Sequence, residues 1–340
     1  MKNIRIIILT IMCAFLALML SCSSQKKKLE ENIIGNYVIV DSFKLESPVL
    51  WYGTGREINN QLLAVNLQEY RLELISKSGK LLSHCGRHGS GPGEFTNPEL
   101  FDCSNNMIYL IDSGNNKIVI IELDAQKEKL IYRDEFHLNF RPRDICAIGN
   151  DKMIISAGGQ VNNMKLYDIH GVLLKEFSIP YSRHTQTDED ILFSDCLVEN
   201  CGEKHVLIGS IIDMKLYFCD FDHNTISLQQ VGEENVKFRR RSKGIVDAGK
   251  NGINIFGISK IICAHGNYYI SFRSDMPDMK KIGETFFEVY NKTGIYVGNV
   301  FVQNKIANYT VLSDNADTLW FQESDNDFLL YKAQYLAKEQ

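Results

Sequence analysis

Proline is scarce in this chain, with six residues in 340. No Pro-rich stretch divides it, so composition offers no linker at which to split it into domains. Long amphipathic runs with a 3.6-residue period are nearly absent, which removes the main signal of a helical fold. Basic charge is not in excess either. Lys and Arg number 37 against 42 Asp and Glu, for a formal net charge of −5. Such a balance gives no overall attraction to nucleic acid, and no nucleic-acid partner is expected.

Chemical signatures are missing too. There is no H-E-x-x-H, no G-x-S-x-G, no EF-hand loop and no C-x-x-C, so zincin, hydrolase-elbow, calcium-loop and thioredoxin-like readings all lack their motif. The histidines are scattered. Only His84 and His88 share a metal-like spacing, and they straddle a glycine turn, not a helix face. No metal and no cofactor are expected, and no reaction is named. Nine cysteines are present. Setting aside Cys13 and Cys22 near the N-terminus leaves Cys85, Cys103, Cys146, Cys196, Cys201, Cys219 and Cys263, an odd set that cannot all pair within one chain. Most lie in apolar strand-like runs, where cysteine acts as a small buried hydrophobe. Cys196 and Cys201 are placed to bridge across a turn where geometry allows.

What is present begins with residues 1–21, which read as a secretory signal. Lys2 and Arg5 form a basic start, and Ile6–Leu20 is an apolar run broken by Thr10. The run is short for a membrane-spanning helix, which needs about 20 apolar residues. It ends in Leu20-Ser21-Cys22, which resembles a bacterial lipoprotein lipobox. That resemblance implies that Cys22 is lipidated and becomes the first mature residue. Residues 22–34 then read as a polar tether, with Lys26, Lys27 and Lys28 as a solvated spacer or a contact to anionic headgroups. Residue 23 is Ser, not Asp, and no acidic cluster follows the cysteine. The resemblance therefore implies an outer-membrane lipoprotein facing the periplasm, with surface exposure as the alternative. The expected partner is the membrane, through Cys22, with a protein or glycan partner beyond it.

Residues 35–340 read as one all-β domain. Runs of four to eight Ile, Val, Leu, Tyr and Phe recur between Gly, Asn and Asp turns at a repeat of about 45–55 residues, the range of propeller blades. The clearest unit is a glycine-rich turn, Gly86–Gly93, followed by Phe95, Pro98 and the apolar runs Met107–Asp112 and Lys117–Leu123. The blades are expected over 48–95, 96–140, 141–182, 190–235, 243–303 and 304–340. The last has only three strands, Asn308–Ser313, Thr318–Gln322 and Phe328–Ala333. The strand-like segment Tyr37–Phe43 has no other partner, so it is expected to supply the fourth. The expected fold is a six-bladed β-propeller of four-stranded antiparallel blades, its last blade closed by an N-terminal strand.

The segment from Gly89-Ser90-Gly91-Pro92-Gly93-Glu94-Phe95 through Pro98, Ile108–Asp112 and Asn115-Asn116-Lys117-Ile118 resembles an NHL repeat. The whole chain is similar to TolB-like six-bladed propeller lipoproteins of Gram-negative envelopes. The resemblance implies a fold and a compartment, not an activity. A phosphate-binding loop needs a helix after its glycines. Here Pro98 and strand-like sequence follow, so the glycines read as a hinge between blades.

Candidate site residues follow from the blade register. Inner-strand entries surround one mouth of the central channel and include Glu99, Arg143, Asp144 and Asp195. Arg141 precedes Arg143, and Arg87 and His88 ride on the hinge toward the same face. Mixed charge there suits an anionic or sugar ligand, or closes the mouth by pairing with itself. The basic run Arg239, Arg240, Arg241 and Lys243 suits a polyanion or an acidic partner, or is a solvated loop. A binding or scaffold module is the expected function and no catalytic residue is assigned. The alternatives are a channel-centred lactonase- or lyase-like enzyme, with Glu99, Asp144 and Asp195 as metal-binding carboxylates, and a glycan-binding accessory lipoprotein using Trp51, Tyr52 and Trp320.

Overall fold

The computed structural model describes residues 33–46, 52–158, 162–179, 196–202, 204–211, 215–222, 225–231, 245–249, 252–274, 286–303, 309–315, 317–323 and 329–337. Among them every regular element is a strand. After β1 (Ile33–Lys44), the first blade is β2 (Tyr52–Ile58), β3 (Gln61–Asn66), β4 (Arg71–Ile75) and β5 (Leu81–Cys85). The second is β6 (Pro98–Ser104), β7 (Met107–Asp112), β8 (Lys117–Asp124) and β9 (Lys129–His137). The third is β10 (Pro142–Ile148), β11 (Lys152–Ala157), β12 (Met164–Asp168) and β13 (Leu173–Phe177), and the fourth is β14 (Cys196–Asn200), β15 (His205–Ser210), β16 (Leu216–Asp222) and β17 (Thr225–Gln230). Each is a four-stranded antiparallel meander.

The fifth and sixth blades merge into one nine-stranded sheet. The fifth is β19 (Gly252–Ala264), β20 (Asn267–Ser274), β21 (Phe286–Asn291) and β22 (Tyr296–Gln303). The hairpin strand β18 (Ile245–Gly249) lies beside β19 and lacks a counterpart in the sequence reading. The sixth is β23 (Tyr309–Asn315), β24 (Thr318–Glu323) and β25 (Leu329–Ala337). The N-terminal strand completes it: β1 runs antiparallel to β25 from Gly35↔Ala337 to Lys44↔Leu329. It also pairs parallel with β22, which is how the two blades fuse. The fourth strand of the last blade is therefore the one expected, although it begins at Ile33, inside the expected tether.

Middle strands are buried on both faces, which explains their continuous apolar runs. In β7, Ile108 and Leu110 pack toward the first blade with Leu63, Val65, Leu72 and Leu74. Tyr109 and Ile111, on the other face, pack toward the third with Met153 and Ile155. Val206 and Ile208 of β15 meet the third blade, and Leu207 between them meets the fifth. Tyr37 of β1 sits with Tyr269, Phe287 and Leu319 between the fifth and sixth blades. Leu62 and Ala64 join Trp320 and Leu330 to close the sixth onto the first. The two-residue period thus divides each strand between two neighbouring cores.

Cys201 is disulfide-bonded to Cys263, with Cα atoms 5.2 Å apart. Cys201 thus pairs with Cys263 and not with Cys196, the bridge that sequence proximity left open. Cys196 is buried, and its sulfur accepts a hydrogen bond from Asn163 Nδ2 at 3.4 Å. Cys201, just past β14, meets instead the end of the next blade's inner strand. Burial pushes the thiols of Cys85, Cys103 and Cys219 up, to about 11, 12 and 12. They behave as inert hydrophobes.

Two stability outcomes are expected. The 62-residue separation of the bridged cysteines puts the loss in a Cys201→Ser, Cys263→Ser chain at about 4 kcal/mol by the loop-entropy account, read from urea unfolding. Tyr37→Ala, which empties the cluster joining the N-terminal strand to its neighbours, costs about 3–5 kcal/mol on the same assay.

Candidate functional site: the central channel and its hinge

The inner strands β2, β6, β10, β14, β19 and β23 stand around one axis. Five of them carry a register shift against their own second strand: β2 between Tyr52 and Gly55, β6 between Pro98 and Phe101, β10 between Pro142 and Asp144, β19 between Ile258 and Lys260, and β23 between Val311 and Ser313. Such bulges bend a strand and re-aim its side chains. Residues beside four of these shifts line a channel cavity of about 260 Å³, which presents Arg56, Asp102, Asp144, Glu199 and Lys260 as its charged groups.

Two of these charges, Asp102 and Asp144, are tied to the backbone of the next blade. Arg56 Nη1 donates to Asp102 Oδ1 across the first and second blades. Asp102 is 6% exposed. Its Oδ1 accepts the N–H of Cys103 at 2.7 Å, and its Oδ2 accepts the N–H of Ala147 in β10 at 2.8 Å. Asp144 repeats the device one blade on: Oδ1 accepts the N–H of Ile145 at 2.9 Å, and Oδ2 that of Val198 in β14 at 2.8 Å. An acid on one inner strand thus fastens the following inner strand, and satisfies N–H groups on the free edge that each inner strand turns away from its own sheet. Asp144 is half-buried at the cavity wall, and burial of its carboxyl pushes it up to about 7.

The residues expected at the mouth separate into groups. Asp144 lines the cavity. Glu99 and Arg141 form an ion pair at 3.6 Å, and Glu99 Oε1 also accepts from Ser113 Oγ at 2.6 Å and from Asn97 Nδ2. Arg143 is half-buried in β10. Arg87 is exposed and pairs with Glu94 of its own hinge at 2.6 Å. His88 sits edge-on to Tyr70, ring centroids 4.5 Å apart. Asp195, Arg239, Arg240, Arg241 and Lys243 lie outside the described residues, as do Cys22 and Trp51. Trp320 is buried and donates its indole N–H to Glu57 at 2.8 Å, so it offers no exposed platform for a sugar. Among the described residues, no group of three or more His, Cys, Asp or Glu is placed to hold a metal ion.

The glycine segment is built as a hinge. Gly86 has φ of +105°, and a Cβ there would lie 2.0 Å from the Phe95 ring. Phe95 is fully buried between the first and second blades. Glu94 accepts the N–H of Gly91 at 2.9 Å, and this bond with Arg87 holds its carboxyl below the usual carboxylate range. Asp112, fully buried, accepts the N–H groups of Thr96 and Asn97 at the entry to β6. Buried Lys117 donates to Gly91 O at 3.1 Å and to Glu135 at 2.9 Å, and Glu135 accepts the N–H of Gly93. The acid of the turn after β7 therefore pins the start of β6.

Sequence reading missed Arg56, Asp102, Glu199, Lys260 and Lys117. The legible trace of Asp102 is an acid inside an apolar run, Leu100-Phe101-Asp102-Cys103. The bulge before it hides which face it takes.

A family model, DUF5128, described as a 6-bladed beta-propeller, matches residues 56–169. No curated protein matches the chain by sequence. Among solved structures, a Bacteroides fragilis protein described as exported is similar, with TM-score 0.57, 14% identity and 90% of this chain and 96% of that one covered. A member of the duf4221 family from Bacteroides vulgatus follows, with TM-score 0.55, 10% identity and coverage of 91% and 100%. Virginiamycin B lyase from Staphylococcus aureus has TM-score 0.51, 10% identity and coverage of 86% and 98%. At such identities the likeness is one of fold.

The raised carboxyl of Asp144 gives a pH signature. The folded state holds a proton that the unfolded chain releases between its ordinary value of 3.8 and about 7, so stability from this group falls as pH rises through that window and is level above it. Unfolding free energy measured across the window is expected to fall less steeply in Asp144→Asn than in the parent chain.

Proposed function

We propose that the chain is a lipid-anchored β-propeller of the cell envelope that acts as a binding or scaffold module. It is held by Cys22 at the periplasmic face of an outer membrane. The observation that carries the scaffold reading is the use made of the channel acids. Asp102 and Asp144 each hold a backbone N–H of the next inner strand, so they serve ring integrity. Export is supported by the signal-like residues 1–21 and by the Cys201–Cys263 disulfide, a bond that persists in oxidising compartments. The finer likeness to TolB-like lipoproteins and NHL repeats rests on the lipobox-like Leu20-Ser21-Cys22 and on the hinge from Gly89 to Phe95.

A second reading has one observation in its favour. Burial pushes the Asp144 carboxyl up to about 7 beside a small cavity that also presents Arg56 and Lys260. A carboxyl so placed suits proton transfer on a small bound molecule, as a channel-centred lyase or lactonase needs.

Two measurements test these readings. Cys22→Ala is expected to move the chain from the membrane to the soluble fraction and to abolish fatty-acid incorporation. A parent chain that is itself soluble removes the anchor. Asp102→Ala is expected to cost about 1–3 kcal/mol of stability, the range for a hydrogen-bonded charged group. An unchanged unfolding midpoint would remove the structural role and favour the second reading.

A further inference from the structure

The third-to-fourth strand turns of two blades are the same device. In Asp168-Ile169-His170-Gly171-Val172, Asp168 Oδ1 accepts the N–H groups of His170 and Val172, and Gly171 has φ of +80°. In Asn291-Lys292-Thr293-Gly294-Ile295, Asn291 Oδ1 accepts the N–H groups of Thr293 and Ile295, and Gly294 has φ of +80°. Each turn projects one aliphatic residue: Val172 is 56% exposed and Ile295 is 64% exposed. The two turns differ in where they stand. The first belongs to the third blade. The second leads into β22, the strand that pairs parallel with β1.

The N-terminal segment enters the fold on the strand that this second turn leads into. Ile33 pairs with Asn299, the fourth residue of β22. On the other side of β1, Asn36 pairs with Leu336 near the end of β25. The entry point is therefore flanked by exposed Ile295 and Val297 on one strand and exposed Leu336 on the other. Exposed Lys292 belongs to the same turn as Ile295. Eleven residue steps separate Cys22 from Ile33, a reach of at most about 40 Å even when fully extended. A lipid on Cys22 would therefore hold this corner of the disc closer to the bilayer than the third blade, which stands opposite the sixth across the ring.

We propose that the corner formed by Ile295, Val297 and Leu336 is a membrane-docking surface that rests on the bilayer carrying the Cys22 lipid. The aliphatic side chains enter the headgroup boundary, and Lys292 meets anionic headgroups. The third blade, with its equally exposed aliphatic turn, is held away from the membrane. The inference rests on the lipidation of Cys22 proposed above.

The test uses the full lipidated chain in vesicles of phosphatidylethanolamine and phosphatidylglycerol with brominated acyl chains. Ile295→Trp, Leu336→Trp and Val172→Trp are compared one at a time, each read as a difference from the parent chain. Added emission from Ile295→Trp and Leu336→Trp is expected to be quenched and shifted to the blue. Emission from Val172→Trp is expected to match its value in unbrominated vesicles. Equal quenching at Val172 overturns the corner geometry, and so does absence of quenching at both corner probes. Intact mass separates the two layers of the argument. A chain without lipid on Cys22 overturns both the anchor and the docking surface. A lipidated chain with unquenched corner probes overturns the docking surface alone.

Discussion

A middle strand that is apolar on both faces cannot rest at the outside of a stack. Ile108 and Leu110 need one neighbour while Tyr109 and Ile111 need another, and the same holds from blade to blade. A row of such blades would leave two apolar faces in water, so burial of both requires closure. Closure in turn needs a complete sixth blade. The strand that completes it comes from the other end of the chain and is held by backbone hydrogen bonds to both β25 and β22.

Closing the ring has a consequence at its centre. Six inner strands converge, and the edge that an inner strand turns away from its own sheet carries backbone N–H groups outside the ladders. Those groups need acceptors in a narrow channel. Asp102 and Asp144 supply them across blade boundaries, and Arg56 offsets the charge on the first. The polar channel that resembles a ligand site is thus also the inner seam of the ring. The hinge from Gly86 to Phe95 answers the same need at the perimeter, where buried Asp112 and Lys117 anchor the crossover from one blade to the next.

Legibility followed the range of each interaction. Strand runs such as Met107–Asp112 and turns such as Ile169-His170-Gly171 are local, and the structure keeps them. The incomplete final blade and the unpartnered Tyr37–Phe43 segment were also readable, because a missing strand and a spare one are both visible in a linear pattern. The cysteine pairing was not. Cys196 and Cys201 are near in sequence, whereas Cys201 and Cys263 are near only because two inner strands end side by side. Arg56, Asp102 and Lys260 escaped notice because bulges break the two-residue alternation that would have assigned their face. Arg87 was legible as part of the hinge, but not its pairing with Glu94.

The linear pattern of residues is enough for the all-β class, the blade rhythm, the hinge and the need for an N-terminal closing strand. These depend on alternation, on glycine conformation and on counting strands, all of which are properties of short segments. Which acids face the channel, which backbone N–H each one holds, which cysteines meet, and the entry of the chain between β22 and β25 are set by the assembled ring. Those outcomes depend on bulges and on contacts between blades far apart in the chain, where a shift of one residue turns a side chain from one face to the other.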